Sequence, residues 1–287
     1  MRWELLFERP GARGWSLNIG PFAFPVAPLI LFLSIAIAVV VARLVGRDAR
    51  EAESAVLVMA AVGLLVARLS FVGHYLPACS DNWLKMLDFR DLGFDRVPGV
   101  VAGALVLLWI VMRRAHLRHA TLVAAVVGVA SWSVATAAAG TAKASELLPA
   151  VNVTDTKGEV QSLARNDGKP LVVNLWTSWC APCRGEMPVL AEAQRNFPGV
   201  DVVFANQGES LEAVNGFLKT QALSLHNLVL DPSLAVARAT GARAFPTTLF
   251  YDENGKLLAA HLGPFSRATF QQALETLYPS AAAGASR

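Results

Sequence analysis

Hydrophobic residues are concentrated in the first half of the chain, in four runs that contain few charged positions. An α-helix needs about 20 apolar residues to cross the hydrocarbon core of a bilayer. The runs therefore predict an all-α membrane domain over residues 1–140, with transmembrane helices at 21–42, 54–73, 95–112 and 121–139. The first run is too long and too far from the N-terminus for a cleaved signal peptide, so we expect it to remain as an anchor.

The pattern changes after the fourth run, where strand-like and helix-like segments alternate. Small residues at 141–147 predict a linker, and residues 148–287 predict an α/β domain. A hairpin at its start is followed by a buried strand at 169–176, by further alternating helices and strands, and by a second hairpin that turns at Asn254 and Gly255. This order predicts a central mixed sheet flanked by helices, with an N-terminal hairpin.

The buried strand leads into two cysteines, Cys180 and Cys183, separated by two residues. Cys180 is placed where a helix begins, so unpaired backbone N–H groups and the helix dipole favour its thiolate form. Cys183 follows one turn later and can close a redox-active disulfide. A zinc site would need two further ligands that the sequence does not offer, and a structural disulfide would close only a short loop. We therefore expect redox chemistry with no metal and no cofactor, on a thioredoxin-like fold.

Composition and charge agree with a membrane half followed by a globular half. Hydrophobic residues make up 54% of the 287 residues and charged residues 16%, which is too apolar for one soluble domain. The net charge of +3 is modest, and there is no basic stripe with interleaved aromatic residues, so nucleic acid is not an expected partner.

Arginines crowd two short loops, and this asymmetry predicts the topology. The loop after the first apolar run and the loop after the third are both basic, with arginines at 43, 47 and 50 and at 113, 114 and 118. Basic loops are cytoplasmic, which places Cys79 and residues 148–287 on the outer side. We expect a multi-pass protein of the bacterial inner membrane, with membrane lipid around it and the globular domain in the periplasm.

Arg68 is the one charge inside the second apolar run, and such residues are usually functional or paired. The stretches 18–22 and 63–69 resemble prolipoprotein diacylglyceryl transferases, and the resemblance covers about residues 17–136. It implies a lipid-binding scaffold or diacylglyceryl transfer. However, residues 93–99 contain no histidine where that family carries one, and the later half of the transferase is missing. We therefore expect a truncated scaffold in which Arg68 packs or contacts a lipid headgroup.

The second half of the chain resembles the TlpA and ResA branch of membrane-tethered thioredoxin-like proteins over about residues 146–280. The residues that carry this resemblance are the Trp179–Pro188 stretch, its acidic position three residues after Cys183, and the Pro-Thr-Thr segment that begins at Pro246. It implies a disulfide reductase of extracytoplasmic proteins, in cytochrome c maturation or metal-site assembly, with a membrane thiol reductase as electron donor. An oxidase or isomerase of the same fold stays open, because direction depends on the reduction potential.

The chemistry needs an attacking sulfur, a shielded resolving sulfur and a proton acceptor. We assign these roles to Cys180, Cys183 and Glu186, which lies one helical turn beyond Cys183. Asn174 occupies the position on the central strand where ordinary thioredoxins carry a buried acid, which favours Glu186 as the proton shuttle. The alternative for Glu186 is a solvated carboxylate in the first turn of the helix.

Four further residues are expected to line the groove that receives the client. Pro246 is expected to be a cis-proline facing the disulfide, with Phe245 beside it, while Trp179 and Pro182 border the cysteines. The alternative for Pro246 is a trans proline on an edge strand. The loop 207–210 follows a central strand at the same sheet edge and is a candidate supporting loop. Cys79 is expected to be either a free thiol or an exchange partner.

Overall fold

The computed structural model describes residues 16–19, 22–76, 91–141, 147–164 and 168–281. The chain divides into two compact units, one made of Val26–Thr141 and the other of the remaining residues. Cys79 lies outside the described residues, so the prediction made for it stays a prediction.

The first of these units is helical. Its described residues, 26–76 and 91–141, form four α-helices and one short 3-10 turn at Ala115–Leu117. The α-helices are α1 (Val26–Val45), α2 (Ala49–His74), α3 (Arg96–Arg113) and α4 (Arg118–Thr141). The segments Val26–Val45, Ala49–His74, Arg96–Arg113 and Ala115–Ala138 are each long and apolar enough to cross a membrane. Most large apolar side chains on them are exposed, as expected for helices whose solvent is lipid.

The first helix begins later than the sequence predicted. Residues 21–25 were assigned to a transmembrane helix, but Phe22–Pro25 (β2) pairs antiparallel with Ser16–Ile19 (β1). Helix α1 starts directly after Pro25, and Pro28 lies in its first turn, where proline is tolerated because the first N–H groups have no helical acceptor. Apolar character alone does not separate a short strand from a helix, which is why the sequence pattern missed this hairpin.

The charge inside α2 is paired. Arg68 is 5% exposed, and its Nη1 donates to Asp91 Oδ1 at 3.0 Å and to the Gly93 carbonyl at 2.8 Å. The rings of Phe71 and Phe94 lie 5.5 and 5.8 Å from the guanidinium carbon. The carboxylate and the carbonyl satisfy much of the guanidinium, which agrees with a packing role for this residue.

The other unit contains a seven-stranded mixed sheet with helices on it. In chain order the strands are β3 (Asn152–Asp155), β4 (Val160–Ser162), β5 (Leu171–Trp176), β6 (Asp201–Gln207), β7 (Leu228–Asp231), β8 (Thr247–Tyr251) and β9 (Leu257–Leu262). The helices are α5 (Ala181–Asn196), α6 (Leu211–Thr220), α7 (Ala235–Thr240) and α8 (Arg267–Leu277). The strand order is β4-β3-β7-β6-β5-β8-β9, with β5, β6 and β7 parallel and the other pairs antiparallel. The predicted thioredoxin-like fold is confirmed.

Strand β5 lies in the middle of the domain and is buried on both faces. Val172 and Trp176 point into the core beneath α5 and α8, whereas Val173 and Leu175 point into the opposite core. A strand covered on both faces reads as a continuous apolar run, which is the pattern that predicted it. Its one polar residue, Asn174, is completely buried and must find partners inside the protein.

Candidate active site

The two cysteines lie at the carboxyl end of β5, where α5 begins. Cys180 is the N-cap residue of α5, and its Sγ accepts a hydrogen bond from the Cys183 backbone N–H at 3.2 Å. Cys180 and Cys183 form a disulfide with their Cα atoms 5.2 Å apart. Pro182 lies exposed in the first turn, where a missing N–H costs nothing because that group would have no helical acceptor. The helix N-terminus thus directs the Cys183 N–H at the attacking sulfur.

Access to the disulfide is uneven. Cys183 is 0% exposed and Cys180 is 6% exposed, so Cys180 is less open than the sequence argument expected but is still the only residue of the pair with any exposure. Trp179, directly before it, is 71% exposed. A client disulfide can therefore reach Cys180 and not Cys183, which is the asymmetry that stepwise exchange needs.

The segment before β8 lies against the disulfide. The Phe245–Pro246 peptide bond is cis, so the trans alternative does not apply. The Phe245 carbonyl oxygen lies 3.5 Å from Cys180 Sγ. The Pro246 carbonyl accepts from the Gly263 N–H at 3.0 Å, which ties this segment to the end of β9. The fold thus brings Phe245 and Pro246 beside the cysteine that lies 65 residues earlier in the chain.

Glu186 is fully buried on the same face of α5 as Cys183. Its Oε1 accepts from Asn174 Nδ2 at 2.8 Å, and its Oε2 accepts from the Phe265 backbone N–H at 2.9 Å. Burial raises the pKa of Glu186 to about 8, although both hydrogen bonds act to lower it. The solvated alternative is therefore wrong. A carboxyl group with a pKa near neutrality is suited to exchange protons with a thiol.

Glu209 is a residue of this site that sequence reasoning did not single out. Its Oε2 accepts from the Ser178 N–H and from Asn206 Nδ2, both at 2.7 Å, and its Oε1 accepts from Ser178 Oγ at 2.6 Å. The sequence predicts the loop 207–210 only as a supporting loop. The signal was available in part, because β5 and β6 are parallel and their carboxyl ends meet at one sheet edge.

His261 lies on the same face of the sheet as Asn174, two strands away. Thr248 on β8 is the register partner of both Asn174 on β5 and His261 on β9, so the three side chains share one face. The His261 ring stacks on Phe265 with centroids 4.1 Å apart, and burial lowers the pKa of His261 to about 4. Within the described part of the chain, no group of three or more His, Cys, Asp or Glu residues is arranged to hold a metal ion.

Comparison with known proteins finds thiol-disulfide oxidoreductases similar to the second half of the chain. The Redoxin family profile matches residues 143–277. The thiol-disulfide oxidoreductase ResA of Halalkalibacterium halodurans is 30% identical over 142 residues, which cover 49% of this chain and 80% of that protein. A thiol:disulfide interchange protein DsbE homolog of Paracoccus denitrificans is 38% identical over 124 residues, covering 42% of this chain and 66% of the relative.

One solved structure that is similar to this chain is that of a putative thiol:disulfide interchange protein DsbE from Chlorobium tepidum. It is 27% identical, covers 48% of this chain and 99% of its own, and aligns with a TM-score of 0.43. The sequence relatives and the Redoxin match coincide with the half of the chain that holds Cys180 and Cys183. The chain therefore belongs to the ResA-type family of thioredoxin-like thiol-disulfide oxidoreductases.

Proposed function

We propose that this protein reduces disulfides of extracytoplasmic proteins from a membrane anchor, with Cys180 as the attacking sulfur. The observation that carries the proposal is the site itself. A reachable Cys180 at a helix N-terminus is joined to an enclosed Cys183, and a buried carboxyl group lies one turn further along the helix. This arrangement supplies the three groups that stepwise thiol-disulfide exchange needs.

The reaction starts from the reduced pair. The Cys180 thiolate attacks one sulfur of the client disulfide, the client S–S bond breaks, and the other client sulfur leaves as a thiolate. Cys183 then loses its proton and attacks Cys180 Sγ, and the second client sulfur leaves with the electron pair of the mixed disulfide. Two electrons pass to the client, which gains two protons as its thiolates are protonated, and Cys180 and Cys183 end as a disulfide.

Glu186 is the proposed acceptor of the Cys183 proton. With a pKa of about 8, roughly a tenth of the carboxyl is ionised at pH 7, so both protonation states are accessible near neutrality. The carboxylate form can therefore take up the thiol proton near neutral pH, and the acid form can release it again.

The proposed client groove is bordered by Trp179 and Pro182 on the side of α5 and by Phe245 and Pro246 on the side of β8. Trp179 and Pro182 are exposed, and Phe245 is half-buried next to Cys180. Aromatic side chains at the rim offer apolar area to an extended client segment around its cysteine.

For the whole chain, we propose the domain arrangement predicted from sequence: a membrane domain over 1–140, a linker at 141–147 and a periplasmic domain over 148–287. Its support is the arginine-rich loops after the first and third apolar runs. A membrane thiol reductase would then re-reduce the Cys180–Cys183 disulfide. Client proteins would belong to cytochrome c maturation or metal-site assembly, where thiols must be kept reduced outside the cytoplasm.

We also propose that residues 17–136 derive from a truncated transferase-like scaffold with lipid around it. The alternative of another class is that this half is the working part, as a lipid-binding or diacylglyceryl transferase-like protein with an attached redox domain. The pairing of Arg68 with Asp91 favours a packing role over a headgroup site. Transfer of diacylglyceryl groups by membranes that contain a Cys180→Ser, Cys183→Ser protein would support the alternative instead.

The direction of electron flow is tested by the reduction potential of the Cys180–Cys183 pair. We expect a value near that of thioredoxin, about −270 mV, when the full-length protein in detergent micelles is equilibrated with glutathione buffers. A value near about −120 mV would assign the protein to the oxidases, and an intermediate value near about −180 mV to the isomerases.

A further inference from the structure

Asn174 is the only polar residue of β5, and its side chain is completely buried. Its Nδ2 donates to Glu186 Oε1 at 2.8 Å and to Thr248 Oγ1 at 3.0 Å. Its Oδ1 has no hydrogen-bond partner among the residues that the structure describes. Both amide hydrogens therefore have acceptors, whereas the amide oxygen has no donor among the described residues.

The partners of Glu186 suit only one of its protonation states. As a carboxylate it accepts at both oxygens, from Asn174 and from the Phe265 N–H. As a carboxylic acid one of its oxygens carries a hydrogen and needs an acceptor. The Phe265 N–H cannot accept, and in the observed orientation the Asn174 nitrogen cannot accept either.

The Phe265 side of the carboxyl group is fixed. Its donor is a backbone group, and the Phe265 ring is held by His261, stacked at 4.1 Å, and by Phe270, edge-on at 5.1 Å. Asn174, by contrast, can exchange its oxygen and nitrogen by a half-turn about one side-chain bond. The Thr248 hydroxyl can follow, because it can donate as well as accept.

We propose that Asn174 is a positioning residue whose amide turns over with the protonation of Glu186, presenting nitrogen to the carboxylate and oxygen to the carboxylic acid. The inference rests on the proposed role of Glu186 as the proton acceptor. In the second orientation, Asn174 Oδ1 accepts from both the Glu186 hydroxyl and the Thr248 hydroxyl. The amide oxygen faces the unpartnered side in the first orientation and the amide NH₂ group faces it in the second, so one polar group lacks a partner in either state.

The half-turn lets a buried carboxyl group take and release a proton without leaving its partners mismatched. Its pKa of about 8 means that both states are populated near neutral pH. Two other titratable residues belong to this site. Cys183 on α5 is held in the disulfide, and burial lowers the pKa of His261 on β9 and so keeps it neutral at that pH. An aspartate at position 174 could only accept, and a leucine could do neither.

The test is a pH titration of the full-length oxidised protein in detergent micelles, in which the disulfide keeps both cysteines from titrating. Nuclear magnetic resonance would follow the Glu186 carboxyl carbon and the Asn174 side-chain amide. We expect the Glu186 signal to titrate with a midpoint near pH 8, where its pKa lies. The Asn174 amide shifts, and the magnetisation transfer from its protons to Thr248, should change with the same midpoint.

Variants separate the contributions. In Glu186→Gln the Asn174 amide signals should no longer depend on pH. In Asn174→Leu the Glu186 midpoint should rise by about one pH unit or more, because the carboxylate loses a buried donor. Thr248→Val is the matched control, since it removes the other partner of the amide and should move the Glu186 midpoint less.

Three results would overturn the inference, and they differ in what else they affect. If Glu186 titrates near pH 8 while the Asn174 amide signals stay constant, the inference is wrong and the role of Glu186 stands. An unchanged Glu186 midpoint in Asn174→Leu has the same meaning. If Glu186 does not titrate between about pH 5 and about pH 10, its proposed role as proton acceptor fails as well. If Asn174→Leu does not fold, the wild-type titration still decides. The Asn174 amide signal can then be identified by its absence from the spectrum of Asn174→Asp.

Discussion

Glu186 makes the stability of the redox domain depend on pH. Its pKa is about 8 in the folded protein, against an ordinary value of 4.5. Between these two pH values the folded state keeps a proton that the unfolded chain has released, so stability falls as the pH rises and the loss is complete above about pH 8. At about 1.4 kcal/mol for each unit of pKa difference, the effect amounts to several kcal/mol.

Replacing this carboxyl with an amide should remove the dependence. We expect Glu186→Gln to be more stable than the wild type above pH 8 and to show a flatter stability profile below it, because no proton is taken up on folding at this position. Urea-induced unfolding in detergent micelles at a series of pH values measures this. The control is Glu192→Gln. Glu192 lies on the same helix as Glu186, is half-buried and pairs with Arg267 of α8, and its replacement should keep the wild-type slope. A wild-type slope in Glu186→Gln would contradict the assignment.

Glu209 holds the backbone that leads into the cysteines. Its two oxygens accept three hydrogen bonds, two of them from Ser178. In Glu209→Ala all three hydrogen bonds lose their acceptor, and each donor left without a partner at this partly buried site costs about 1–3 kcal/mol. We expect faster hydrogen exchange at residues 178–180, measured by mass spectrometry. Glu212→Ala removes an exposed carboxylate in the first turn of α6 and should leave this exchange unchanged.

At the scale of elements, local patterns predicted what depends on neighbours in sequence. The continuous apolar run predicted β5, the cysteine spacing predicted the start of α5, and Asn254-Gly255 predicted the last hairpin. Within that hairpin only Gly255 adopts a positive φ, of 73°. The sequence could not predict contacts set by strand register. Asn174 and Thr248 are 74 residues apart in the chain, and they meet only because β5 pairs with β8.

The groove between α5 and β8 is the element pair on which client binding depends. Trp179 is 71% exposed, so we expect Trp179→Ala to fold normally but to reduce protein disulfides with a kcat/KM lowered by about tenfold, because the client loses a large aromatic contact beside its cysteine. Reduction of a small linear disulfide such as hydroxyethyl disulfide should fall less, because it touches less of the rim. Stopped-flow rates with both substrates give the comparison. Equal losses for the two would mean that Trp179 acts on the cysteines rather than on the client.

At the scale of the whole molecule, the change in composition near residue 140 separates two kinds of chain. Apolar side chains dominate the surface of the helical unit, whereas the other unit keeps its apolar residues in two cores. The sequence predicted this difference because hydropathy is a local property. It did not predict the hairpin of β1 and β2, since five apolar residues fit a strand as well as a helix.

The proposed orientation and the proposed chemistry can be tested on one molecule. The chain has three cysteines, so Cys180 is the only thiol in a Cys79→Ser, Cys183→Ser protein. We expect a membrane-impermeant maleimide to label it in spheroplasts and not in sealed inverted vesicles, because the basic loops should lie in the cytoplasm.

Without Cys183 the mixed disulfide cannot resolve, so clients should stay bound to Cys180 and be released by dithiothreitol. A Cys180→Ser protein, which lacks the attacking sulfur, is the control and should capture nothing. Labelling confined to inverted vesicles would place the redox domain in the cytoplasm, and capture of cytoplasmic proteins alone would contradict the proposed clients.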